Sequence, residues 1–163
     1  MFTAATISHD DPREFYKELA QQLEGLLAGE RDVIANAANM AALIFTSLPD
    51  LNWAGFYFLR GDTLVLGPFQ GKPACVRIAM GKGVCGGAAQ TRRSLRVEDV
   101  DAFPGHIACD SASRSELVVP LIQGDTVIGV LDIDSPIPSR FDAIDQAGLE
   151  RLAAIFVAGS DAP

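Results

Sequence analysis

Three cysteines lie between positions 75 and 109 of this 163-residue chain: Cys75, Cys85 and Cys109, the last inside Phe103-Pro104-Gly105-His106-Ile107-Ala108-Cys109-Asp110. An odd count, in a chain whose first residues show no export signal, argues against a disulfide framework and for thiol chemistry. A thiol attacks as the thiolate, and its pKa falls beside positive charge or at a helix start. His106 precedes Cys109 by three residues and Arg114 follows it by five; both favour the thiolate, against Asp101 and Asp110. Cys85, among the small residues Gly83 to Ala89, reads as a buried hydrophobe, the commoner fate of a cysteine. Cys75 opens a short extended segment and could supply a second thiol that closes a disulfide.

Carboxylates in apolar strands form the second unusual group. Glu116, Asp132 and Asp134 each sit within or at the edge of such a strand, where an acid has poor propensity and is costly to bury. The two-residue period of a strand puts Asp132 and Asp134 on one face. If Glu116 begins the neighbouring strand, the three converge, raising one pKa by like-charge repulsion or holding a ligand cation; a solvated strand end is the alternative. Trp53 and Tyr57 share a strand face with Phe56 opposite, and line either core or pocket, core being the simpler reading. His9 and His106 with the cysteines raise zinc, but no pair has ordinary ligand spacing, so no metal is expected.

Secondary-structure elements must hold these groups. Pro12, after Asp10-Asp11, starts a helix carrying Phe15, Leu19, Leu23, Leu26 and Leu27 at helical spacing, and a second runs from about Asp32 to Leu48 and stops at Pro49-Asp50. The two could form an antiparallel hairpin. Residues 53–59 and 63–66 flank Gly61-Asp62 as a β-hairpin. Cys75 to Ile78 and Ser94 to Val97 are short strands, and Gly83 opens a helix of small residues. From Asp99 to Ser113 periodicity gives way to a loop. Residues 116–122 and 126–134 are strong strands joined at Gly124-Asp125, and Phe141 to Phe156 is a terminal amphipathic helix.

Segregated helices and hairpin-linked strands describe an α+β domain, helices packed on a central antiparallel sheet. With 48% hydrophobic and 21% charged residues, the chain reads as one domain over 1–163, residues 1–11 forming a loose N-terminus. A net charge of −8 repels nucleic acid and anionic lipid, and no segment has the length of a membrane span. A cytoplasmic location is expected, where thiols stay reduced, and the helical face offers a surface for a homodimer.

Five segments carry a resemblance: Leu51 to Tyr57, Leu66 to Lys72, Gly81 to Gly86, Phe103 to Asp110 and Gly129 to Pro136. Together they resemble the free methionine-(R)-sulfoxide reductases, stand-alone proteins of the GAF fold, over most of the stretch from Leu51 to Asp142. The departures are Arg114, where a small polar residue such as Asn is familiar, and Gly87 in place of Thr. The resemblance implies that Cys109 is the attacking thiolate and Cys75 the resolving cysteine, with Cys85 an accessory thiol. It implies that Glu116, Asp132 and Asp134 hold the substrate ammonium and assist protonation of the sulfoxide oxygen, with Trp53 and Tyr57 flanking the methyl sulfoxide. No metal or organic cofactor is implied; thioredoxin is the expected external reductant. The competing expectation is a GAF-type small-molecule or redox sensor without turnover.

Overall fold

The Asp11 carboxylate accepts a hydrogen bond from the Arg13 amide and Pro12 fills the first turn of α1 (Pro12–Leu27), while Asp32 accepts from the Ala35 amide at the head of α2 (Val33–Ser47). Each cap satisfies an amide that the helix leaves unpaired. The computed structural model describes residues 2–107 and 111–163, so Cys109 lies outside the described residues. After the two helices come β1 (Trp53–Arg60), β2 (Thr63–Gly71), β3 (Arg77–Ala79), α3 (Gly83–Thr91) and β4 (Leu95–Val97). A 3-10 turn (Val100–Ala102), β5 (Ser115–Gln123), β6 (Thr126–Ser135) and α4 (Ala143–Gly159) complete the chain. The strands form one antiparallel sheet in the order β3-β2-β1-β6-β5-β4.

Strand alternation sorts side chains onto two faces. Ala54, Phe56 and Phe58 of β1, Leu117, Val119 and Leu121 of β5, and Leu131 and Ile133 of β6 meet α1, α2 and α4 in the larger core. There the Phe56 and Phe156 rings pack with centroids 4.7 Å apart. Each such fully buried side chain is worth about 1.5–3 kcal/mol relative to exposure, so this layer makes the sheet a rigid platform. On the opposite face Trp53, Tyr57, Val118 and Val130 meet Val84, Cys85 and Ala88 of α3 in a smaller core.

Several boundaries differ from the sequence expectation. β3 begins at Arg77, so Cys75 lies in the connection before it rather than opening a strand, and β2 continues past Leu66 to Gly71. Instead of forming a hairpin with α2, α1 packs chiefly on α4, where the Tyr16 hydroxyl donates to Asp145 Oδ1 at 2.7 Å. That carboxylate also belongs to the capping box that starts α4 after Asp142. No described helix is long and apolar enough to cross a membrane.

Candidate active site

Across β1, β6 and β5, Trp53 stands opposite Asp134 and Asp134 opposite Glu116; the next row on that face is Gly55, Asp132 and Val118. All three carboxyls therefore point toward α3, at 6% (Glu116), 7% (Asp132) and 9% (Asp134) exposure. The convergence expected of them is present. Solvated strand ends would leave them open to water, and these are buried.

Aromatic side chains of β1 pin the segment that carries Cys75. The Trp53 ring stacks between Phe69 and Tyr57, with centroids 5.2 Å and 5.9 Å away. Its Nε1–H donates to the Lys72 carbonyl at 3.1 Å, and the Tyr57 hydroxyl donates to the Cys75 carbonyl at 3.0 Å. Between the two aromatics Gly55 has no substitute: a Cβ there would stand 2.3 Å from Phe69 Cβ and 2.8 Å from the Trp53 ring. Cys75 is half-buried and disulfide-bonded. Trp53 and Tyr57 are core residues with polar tips spent on this connection, and the same face continues into the acids.

Small residues bring α3 down onto the sheet. A Cβ on Gly86 would lie 2.4 Å from the Ala79 carbonyl, so only glycine permits this approach, and it lowers Cys85 onto β5 and β6. The Cys85 thiol lies 4.0 Å from Glu116 Oε1 and donates to it. Burial pushes that thiol well above its usual pKa, and Asp132 and Glu116 push it further. Burial likewise raises Glu116, reinforced by the charge of Asp134, and raises Asp132, reinforced by Glu116. The Tyr57 hydroxyl is raised by burial and by Asp132. Desolvation thus favours the protonated forms of Cys85, Glu116, Asp132 and Tyr57.

From the loop after the 3-10 turn, His106 Nε2 reaches within 3.6 Å of Glu116 Oε2. Burial lowers the His106 pKa, with Asp101 opposing, and raises that of Glu116, so both shifts favour the neutral forms of the pair. Spacing had offered His106 as a neighbour of Cys109; the described structure shows it on Glu116. Arg114 faces Asp99 and Asp101 at 3.8 Å and 3.7 Å. Cys85, His106, Glu116, Asp132 and Asp134 line one cavity of about 20 Å³, room for one water molecule, together with Lys82 at the head of α3. Lys82 lies within the Gly81 to Gly86 segment, but the sequence reading gave it no role, since only the fold brings it to the acids.

Ligand atoms of Cys85, Glu116 and Asp132 all lie within 4.8 Å of one another, a grouping suited to a metal ion. Ligand-spacing rules could not find it, because the three come from α3, β5 and β6. Chemically the arrangement offers a neutral acid to donate a proton, carboxylates to hold a cation, and a buried thiol unsuited to attack.

A model of the GAF domain matches residues 11–158. The free methionine-R-sulfoxide reductase of Escherichia coli is 55% identical over 141 residues, 86% of this chain and 86% of that protein. The protein of the same name from Saccharomyces cerevisiae is 45% identical over 156 residues, 91% of this chain and 87% of that one. Among solved structures, the free methionine-R-sulfoxide reductase from Neisseria meningitidis in complex with its substrate superposes with a TM-score of 0.93 at 44% identity, covering 98% of this chain and 95% of that one.

Proposed function

The chain belongs to the GAF domain family and, within it, to the free methionine-R-sulfoxide reductases, and from that membership we propose that it reduces free L-methionine-(R)-sulfoxide to methionine with its own thiols. The observation that carries this reading is the buried convergence of Glu116, Asp132 and Asp134 with His106 beside one cavity. A sulfoxide has an electrophilic sulfur and a poor oxide leaving group, so a thiolate must attack sulfur while an acid protonates oxygen. Cys109 forms the bond to sulfur, Glu116 supplies the proton, and methionine departs as the oxygen passes to Cys109 as a sulfenic acid. The Cys75 thiol then displaces water from that sulfenic acid and forms the Cys75–Cys109 disulfide. A dithiol of the thioredoxin type reduces it, so that one sulfoxide and two thiols yield methionine, a disulfide and water. Neither metal nor organic cofactor takes part, and the thiols need a reducing compartment, the cytoplasm.

Recognition of the free amino acid follows from its charges. Asp132 and Asp134 pair with the ammonium, which a residue within a peptide lacks. Lys82 and the first amides of α3 face the carboxylate, where the helix dipole favours an anion. The Trp53 and Tyr57 face flanks the methyl sulfoxide. Given resolved R and S sulfoxides, free and peptide-bound, with a thioredoxin system, the protein is expected to release methionine from the free R form alone. Equal turnover of the S or peptide-bound form would overturn the assignment, and binding without methionine would make the domain a sensor. With Cys75→Ser, a single turnover still yields one equivalent of methionine, while thioredoxin-driven turnover falls to near zero.

His106 returns a proton to Glu116 after each turnover, being the partly exposed group in contact with it. His106→Gln is expected to lower kcat about tenfold, more at high pH than at low, with KM within about twofold. A kcat profile from about pH 6 to 9 checks this; an unchanged profile would assign His106 to packing alone.

A further inference from the structure

The cluster that serves the substrate is also built to hold something else. Cys85, Glu116 and Asp132 present a sulfur and two carboxylate oxygens within 4.8 Å of one another, each residue buried. Asp132 Oδ1 is buried without a hydrogen-bond partner among the described residues, on a side chain only 7% exposed. An orphaned acceptor of this kind is costly unless something occupies it. The adjoining cavity, about 20 Å³ and lined by the same three side chains, fits one water or one ion.

We propose that Cys85, Glu116 and Asp132 bind a single thiophilic divalent cation of the zinc class whenever the sulfoxide is absent. Three protein donors and one open position make the geometry of an accessible zinc site, the cavity supplying water as the fourth ligand. A mixed sulfur and oxygen donor set excludes magnesium and calcium, which take oxygen alone. From the 4.0 Å separation of Cys85 Sγ and Glu116 Oε1, a contraction of about half an ångström reaches the spacing of two zinc ligands. His106, 3.6 Å from Glu116 Oε2, is placed to orient that carboxylate from behind, the usual outer support of a metal ligand. Because the cation takes the carboxylates that would meet the substrate, it excludes the sulfoxide.

Cobalt reports this directly. The full-length chain carrying Cys75→Ser and Cys109→Ser keeps Cys85 as its single thiol; reduced and metal-free, it is titrated with Co²⁺. Expected are one equivalent bound, a thiolate-to-cobalt charge-transfer band and the visible bands of a four-coordinate ion. Glu116→Gln or Asp132→Asn, each nearly isosteric, should weaken binding at least about tenfold, and Zn²⁺ should raise the melting temperature of the parent but not of the Asp132→Asn chain. No charge-transfer band, or an affinity in both carboxylate variants equal to that of the parent, would overturn the site. Cobalt binding is read without turnover, so this result stands apart from whether the sulfoxide is reduced.

Discussion

Cys109→Ser is expected to remove methionine formation from free methionine-(R)-sulfoxide, by about a thousandfold or more, with dithiothreitol as well as with thioredoxin. Dithiothreitol bypasses the resolving step, so only loss of the attacking group stops both reductants. A serine hydroxyl is scarcely ionised at neutral pH and cannot replace a thiolate. Cys85→Ser provides the contrast. Its thiol is 4% exposed, is pushed up by burial and by Asp132 and Glu116, and points into the acids rather than at solvent. A cysteine so placed is a poor nucleophile, so Cys85→Ser should retain at least about a tenth of the activity. Methionine release from separate reactions of the two variants settles the roles: an active Cys109→Ser beside a dead Cys85→Ser would exchange them.

How much of this was legible in the sequence depended on range. Alternation in β6 put Asp132 and Asp134 on one face and Leu131 and Ile133 on the other, and the structure has them so. Caps were equally legible, since Asp11 with Pro12 and Asp32 act within their own first turns. Cys75 was misplaced onto a strand because Cys-Val-Arg-Ile has good strand propensity, whereas its backbone is claimed by the Tyr57 hydroxyl, a contact across 18 residues. The small residues from Gly83 to Ala89 implied close packing, and at Gly86 it is against the Ala79 carbonyl; Gly55 read as an ordinary glycine, its necessity coming from Phe69 and Trp53, which no local pattern announces. The Cys85–Glu116 contact spans 31 residues and joins a helix to a strand, so spacing rules for ligands and catalytic pairs pass over it. What escaped the sequence was therefore contact between elements, the part of a site that packing alone decides.

Glu116→Gln should separate activity from stability. Methionine formation is expected to fall about a hundred- to ten-thousandfold, because an amide cannot donate the acid proton to the leaving oxygen. The fold should gain about 1–2 kcal/mol at neutral pH, as replacement of a buried ionisable group often does. Burial and the charge of Asp134 raise the folded-state pKa of Glu116 above its unfolded value, near ~4.3 for glutamate. Above that value the folded chain holds a proton that the unfolded chain releases. The carboxyl's contribution is complete below the unfolded pKa and is lost as pH rises from there through the folded one. Glutamine has no such proton, so the stability advantage of the variant should widen between about pH 5 and pH 8. Asp132→Asn, raised for the same reason with Glu116 as its neighbour, should follow the same direction. Urea unfolding at the two pH values, beside methionine release, checks both halves. A variant that loses activity and also loses stability more steeply with rising pH would mean that the acids are held ionised, and that the proton for the sulfoxide oxygen comes from elsewhere.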